Sequence, residues 1–156
     1  MARRFKPEKR EVPPDVRYHN QHIQKLINHI MLDGKKSTVT TIVYDAIDII
    51  SEKTGKDGVE VLEQAIKNVS PVMEVRPRRV GGATYQVPME VSPDRRLTLA
   101  IRWIITSTRA RSGKSFSEKL AGELMDAAEN QGASIRRKEE THKMAEANRA
   151  FSHFRI

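Results

Sequence analysis

The 156-residue chain contains no cysteine. Disulfides and thiolate metal sites are excluded, and the composition is compatible with a reducing cytosol. Aromatic residues make up only 5% of the chain, with a single tryptophan, so the core is expected to be thin and much of the surface solvated or covered by a partner. Long apolar runs are lacking too. None approaches the ~20 residues of a transmembrane helix, and the first residues are charged where a signal peptide would be greasy. A membrane partner is therefore not expected. Homeodomain, zinc-finger and heptad patterns are missing, as are the aromatic-rich strands of the common single-strand RNA modules. There is no internal repeat and no low-complexity segment, so the length predicts one domain spanning residues 1–156.

Positive charge is abundant. The formal net charge is +8 and the pI is about 9.9, with 31% charged and 38% hydrophobic residues. Its distribution is uneven: residues 1–36 carry +5, residues 37–75 carry −4, residues 76–119 carry +7, and residues 120–156 are neutral. A solubilising surface would intersperse the signs, whereas this segregation predicts one cationic face for a polyanion, nucleic acid above all.

Apolar spacing organises the chain into helices. Residues 1–18 hold Arg3, Arg4, Lys6, Lys9 and Arg10 among three prolines without apolar periodicity, which predicts a basic arm that orders on a phosphate backbone. Ile23, Leu26, Ile27, Ile30 and Met31 predict a first helix from Asn20 to Asp33-Gly34. Ile42, Val43, Ala46, Ile47 and Ile50 predict a second from about Thr38 to Gly55. Asp57 with Glu60 has the form of a capping box, followed by Leu62, Ala65, Ile66 and Val69. Ser92-Pro93 supplies an N-cap with proline at the first helical position, and Leu97, Ala100, Ile101, Ile104 and Ile105 continue that helix. Trp103 is read as a core anchor or as a shield for the base of the ribbon described next. After the basic loop Arg109-Ala110-Arg111-Ser112-Gly113-Lys114, Ser115 and Glu118 form a second capping box for a helix ending near Gly132. A last helix over residues 134–151, with charges of alternating sign, precedes a tail at 152–156. The expected fold is mainly α: about six helices in one bundle-like domain, with a projecting basic two-stranded β-ribbon.

That ribbon is residues 75–91, VRPRRVGGATYQVPMEV. Gly81-Gly82 permits positive φ at the reversal, and Val, Thr and Tyr favour the extended arms. Pro77 and Pro88 each remove a ladder donor, which fits an exposed ribbon and not the middle of a wide sheet. Arg76, Arg78 and Arg79 crowd the first strand and call for an anion. An isolated hairpin is marginal in water, so its stability must come from packing at its base or from what it grips. Tyr85 is equally suited to base stacking and cross-strand packing; Gln86 is better suited to packing.

Catalytic motifs fail on inspection. Gly113-Lys114-Ser115 has the end of a phosphate-binding loop, but Thr108 stands where its first glycine belongs and the segment follows a helix, not a strand. Gly34-Lys35-Lys36 fails similarly, with His29 at the glycine position. His19, His22 and His29 have no further ligand nearby at metal spacing. No carboxylate pair or nucleophile turn stands out. No enzyme activity, cofactor or metal is expected. The classes left open beside an RNA-bound structural protein are a free helical regulator of DNA or messenger RNA and, behind it, an enzyme acting on RNA.

Several segments carry a family likeness. Leu26-Ile27, Gly34-Lys35-Lys36, Ile42-Val43 and Ala46 keep one signature spacing; Arg79-Val80-Gly81-Gly82 through Tyr85-Gln86-Val87-Pro88 gives a second. Leu99-Ala100-Ile101-Arg102-Trp103 and the run Lys143-Met144-Ala145-Glu146-Ala147-Asn148-Arg149-Ala150-Phe151 complete the set. Over essentially its full length the chain resembles the universal small-subunit ribosomal protein seven family in its bacterial or organellar form. Pro77 stands where a small residue is expected. The resemblance implies direct binding to the 3′ major domain of 16S-type ribosomal RNA, nucleation of head assembly, and a cytoplasmic or organellar ribosome as location. It also implies a ribbon beside exit-site transfer RNA and the messenger RNA exit path, neighbouring small-subunit proteins of head and platform, and, as in some bacterial members, repression of translation of its own operon. The ribosomal RNA face is then expected from the arm together with Lys35, Lys36, Arg76, Arg78, Arg79, Arg95, Arg96, Arg102, Arg109, Arg111 and Lys114. Gly81, Gly82, Tyr85, Arg149 and Arg155 are expected near transfer or messenger RNA, with the last helix facing transfer RNA or protein.

Overall fold

A computed structural model describes residues 10–154. In chain order they form α1 (Gln21–Ile30), α2 (Lys36–Thr54), α3 (Gly58–Val69), β1 (Met73–Val80), β2 (Ala83–Glu90), α4 (Pro93–Ala110), α5 (Phe116–Ala128), α6 (Gly132–Ala147) and a 3-10 helix (Arg149–Phe154). The expected mainly α fold with one ribbon is what the chain adopts. The predicted apolar stripes meet in a single core: Ile23, Leu26 and Ile27 of α1, Val43, Ile47 and Ile50 of α2, Leu62 and Ile66 of α3, Ile101 and Ile104 of α4, and Leu120 and Leu124 of α5. Short helix α5 lies at the centre, touching α2, α3, α4 and α6. Each large aliphatic side chain buried there contributes roughly 1.5–3 kcal/mol.

Caps explain where α1, α3 and α5 begin. The side chain of Asn20 accepts hydrogen bonds from the backbone N–H groups of His22 and Ile23, Asp57 from Val59, and Ser115 from Glu118. Gly55, at φ 66°, ends α2 in the left-handed conformation. Ser92 departs from the expectation: its hydroxyl makes no capping bond, and its backbone carbonyl instead accepts from the amides of Arg95 and Arg96 at 3.0 and 2.9 Å. With Pro93 in the first turn one orphan donor is already removed, and helix entry does not need the side chain.

Several boundaries differ from those the sequence predicts: α1 ends at Ile30, before Asp33-Gly34, α6 begins at Gly132, two residues before Ser134, and the ribbon strands run from Met73 to Glu90, not from Val75 to Val91. α2 begins at Lys36, two residues before Thr38, and α5 stops at Ala128, before Gly132. Asn130 and Gly132 take left-handed φ of 59° and 91°, which turns the chain sharply into α6. That helix ends at Ala147, not 151, because the Asn148 side-chain amide donates to the Met144 carbonyl at 2.8 Å. Residues 152–154 of the expected tail are part of the 3-10 helix.

The arm is less independent than its composition predicts. Asp15 is 1% exposed and accepts from the backbone amides of Arg17, Tyr18 and Asn20 and from the Tyr44 hydroxyl, at 2.8–3.1 Å. Burial alone would raise its pKa, but the bonds from Tyr18, Asn20, Tyr44 and Arg17 outweigh burial and hold the carboxyl below its ordinary value. Arg17 grips Asp48 of α2 through both terminal nitrogens at 2.9 Å and lies over the rings of Tyr18 and Tyr44. The arm is thus tied to α2 from Asp15 onward.

Candidate nucleic-acid interface

β1 and β2 form a two-stranded antiparallel sheet in unbroken register from Met73 opposite Glu90 to Val80 opposite Ala83. Pro77 sits within it opposite Gln86 without interrupting the pairing. Gly81 and Gly82 take φ of 58° and 87°, the positive values a two-residue hairpin turn requires. A side chain at either glycine would meet no neighbour, so the backbone alone imposes glycine here. Eight residues per strand give the ribbon a reach of roughly 27 Å at about 3.4 Å per residue. Alternation places Arg76 and Arg78 on one face, opposite Val87 and Tyr85, and Arg79 on the other, opposite Thr84. Arg78 and Arg79 are exposed and have no ion-pair partner among the described residues.

Arg76 belongs to the base of the ribbon and not to its tip. Its Nε–H donates to Glu74, a carboxylate whose side chain is only 8% exposed, and Arg95 of α4 donates its own Nε–H to both oxygens of Glu74 at 2.9 and 2.8 Å. The next residue reaches the other strand: Arg96 donates Nε–H to the Val91 carbonyl at 2.8 Å and a terminal nitrogen to Glu90 at 2.9 Å. The two arginines of the first turn of α4 therefore brace both strands. The Val91 amide, bonded to the Val72 carbonyl at 2.9 Å, closes the base.

From that brace a stripe runs along α4. Arg95, Arg102 and Arg109 are seven residues apart, two helical turns each, and all are exposed. Lys114, in the loop before α5, and Lys35 and Lys36, where α2 begins, are exposed and unpaired among the described residues, as is Arg10. Arg111 differs. Its Nη1 donates to Asp126 at 2.6 Å and to buried Glu123 at 3.2 Å, and its guanidinium lies against Gly122, so it anchors the basic loop onto α5. Glu123 also accepts from the amide and hydroxyl of Ser134, at 3.0 and 2.7 Å, tying the start of α6 to the same point.

The C-terminal segment supports the ribbon. α6 packs on β1, and the 3-10 helix packs on β2. The Tyr85 ring meets that of Phe151 at 5.2 Å between centroids. Backbone N–H of Val72 donates to His142 Nε2 at 3.1 Å. Burial and then the positive charge of Lys138 push that imidazole below its ordinary pKa, favouring the neutral ring that can accept. Between these parts lies a groove of about 650 Å³ lined by Val72, Met73, Pro88, His142, Ala145 and Arg149 among others. Arg149 is exposed at its rim.

Of the other residues singled out, Arg3, Arg4, Lys6, Lys9 and Arg155 lie outside the described residues. Trp103 packs partly buried against the core and lines a groove with Thr106, Arg136 and Arg137, between α4 and α6 and not at the ribbon base. His22 pairs with Glu63 at 2.7 Å, and among the described residues no three His, Cys, Asp or Glu gather as a metal site. Sequence reasoning missed Glu74 and Glu123. The i, i+2 spacing of Glu74 and Arg76 on one strand face was a usable signal for the first; nothing local marks the second.

Comparison with known proteins agrees with this arrangement. Residues 2–149 match the family described as Ribosomal protein S7p/S5e. The chain is 61% identical over 155 residues to a small ribosomal subunit protein uS7 of Thermoanaerobacter sp., covering 99% of each chain. Proteins of the same name from Moorella thermoacetica and Heliobacterium modesticaldum share 61% and 58% of residues, again over 99% of both chains. Charge segregation, helical body, two-residue ribbon turn and full-length similarity agree: the chain belongs to the ribosomal protein S7p/S5e family.

Proposed function

We propose that this chain binds the 3′ major domain of small-subunit ribosomal RNA directly, through a cationic surface running from the ribbon tip along α4, and thereby nucleates assembly of the subunit head. Family membership makes it a structural constituent of the small ribosomal subunit in the cytoplasmic ribosome, and not an enzyme. No helix among the described residues is long and apolar enough to cross a membrane. The observation that carries the finer reading is the series of exposed arginines without a side-chain partner among the described residues, Arg78, Arg79, Arg102 and Arg109, held in one frame by the bonds of Arg95 and Arg96 to the ribbon base. Unpaired guanidinium groups offer forked donors for phosphate, which RNA supplies in series. Arg10, Lys35, Lys36 and Lys114 extend the RNA surface, and the arm residues Arg3, Arg4, Lys6 and Lys9 continue it. Exit-site transfer RNA and messenger RNA lie, in this reading, against the ribbon tip at Gly81 and Gly82 and against Arg149 and Arg155, with neighbouring head and platform proteins on the remaining surface. Repression of its own operon's translation would reuse the same RNA surface.

Filter binding of the full chain to a 3′ major domain transcript and to duplex DNA, over a salt series, tests this. Preference for the transcript is expected to persist as salt weakens the counterion contribution. Equal affinity for both at every salt concentration refutes it. Neutralising Arg78 and Arg79 together is expected to lower the salt slope by up to about two, at roughly 0.9 per duplex phosphate contact.

A further inference from the structure

We infer that Glu74, an acidic residue within the most basic part of the molecule, is a positioning residue for phosphate binding: it holds Arg76 and Arg95 as a fork for one RNA phosphate. This rests on the RNA-binding reading above and names a site within it. The geometry is specific. Both arginines donate to Glu74 through Nε–H, the inner edge of the guanidinium, and no bond from their terminal nitrogens to a described residue is present. Their side chains stay 46% and 44% exposed while the carboxylate is 8% exposed. A guanidinium has five N–H donors, so using one at Nε leaves four at the outer end. Two such ends, one from β1 and one from the first turn of α4, share a single carboxylate and open to solvent together.

A free arginine loses side-chain entropy when it binds phosphate; here that ordering is done by a buried acceptor. The carboxylate also prevents two adjacent guanidinium groups from repelling each other apart before the ligand arrives. Its negative charge opposes a phosphate at short range, but the two arginines leave the cluster at net +1. The alternative is that Glu74 merely staples the ribbon to α4 and neutralises two cations that RNA never meets. The two accounts predict opposite signs for one substitution.

Glu74→Gln preserves shape and raises the formal net charge by one from +8. Glutamine keeps one acceptor oxygen where glutamate has two, so Arg95 Nε–H loses one of the two oxygens it reaches, the amide NH2 faces it as a second donor, and the negative charge that holds the two guanidinium groups together is gone. If Glu74 only neutralises, the variant binds a 3′ major domain transcript as tightly as the native chain or more tightly, because a negative charge has gone. If it positions the fork, affinity falls at least about tenfold, the loss of one charge-assisted contact, and the salt slope falls by about one. Arg95→Lys is the companion variant, keeping the charge but putting a single nitrogen in place of the planar fork, so that a side chain bonded to Glu74 has no two-pronged outer end for phosphate. It is expected to lose affinity to a similar degree, with thermal unfolding verifying that both variants fold. Should Glu74→Gln fail to fold, Arg95→Lys decides alone, and native affinity in that variant overturns the proposal. A native chain that does not prefer the transcript over duplex DNA overturns the functional reading itself and this proposal with it. A native chain that does, beside a Glu74→Gln variant of equal or higher affinity, overturns only the role of Glu74.

Discussion

Single residues in this protein are most informative where they break the local rule. Thr108 of α4 is completely buried, and its hydroxyl has no hydrogen-bond partner among the described residues. A buried hydroxyl without a partner costs about 1–3 kcal/mol relative to an apolar group of the same shape. Thr108→Val is therefore expected to stabilise the chain by about 1–2 kcal/mol, read as a higher urea midpoint with unchanged slope; a lower midpoint would show that the hydroxyl is satisfied in solution. Asp15 and Glu74 make the complementary point. Asp15 lies in the basic stretch 1–36 and Glu74 near the end of the acidic stretch 37–75; each is buried and holds donors that come from up to 29 residues away. Local pattern places the first in a basic arm that orders on a phosphate backbone and gives no sign of the second, because their partners are brought close only by the fold.

At the scale of elements, helices were legible where apolar residues recur at three and four and where a cap stands in front of them. α1, α3 and α5 start where Asn20, Asp57 and Ser115 predict. The ribbon turn was legible as well, since only glycine accommodates φ of 58° and 87° in succession without cost. Helix ends were less so: Arg149 and Ala150 beyond Ala147 are good helix formers, and it is the Asn148 side chain that closes the helix. The contact of α2 with α3 was not legible at all. Gly58, in the first turn of α3, sits so close to α2 that an added Cβ would come within 2.5 Å of the Ile47 carbonyl oxygen. Helix propensity alone predicts that Gly58→Ala stabilises, by up to about 1 kcal/mol. The close approach to backbone predicts the opposite sign, a loss of about 1–3 kcal/mol as the two helices part. Thermal denaturation separates the two, and a raised midpoint would show that α3 can shift without cost.

For the whole molecule, charge arrangement was legible and its mechanics were not. Counting by segment located the positive charge in the arm and in residues 76–119. It did not show that Arg76 and Arg95 share a carboxylate, that Arg111 is occupied by Asp126 and Glu123, or that α6 and the 3-10 helix support the ribbon. These contacts convert a sum of charges into a framework, in which the outward cations of the ribbon and α4 keep a fixed relation to one another. A preorganised surface of this kind loses less entropy on binding than a flexible basic tail.

Because the chain has no cysteine, one introduced thiol is a unique attachment point. The most direct test of the central claim is tethered radical cleavage of small-subunit RNA from an iron chelate placed singly at Thr84→Cys on the ribbon, at Thr106→Cys on α4, or at Glu60→Cys on α3, all exposed positions. The account predicts strand cleavage within the 3′ major domain from the first two sites and much weaker cleavage from the third. Equal cleavage from all three, or cleavage from the ribbon and α4 confined to other RNA domains, would contradict it.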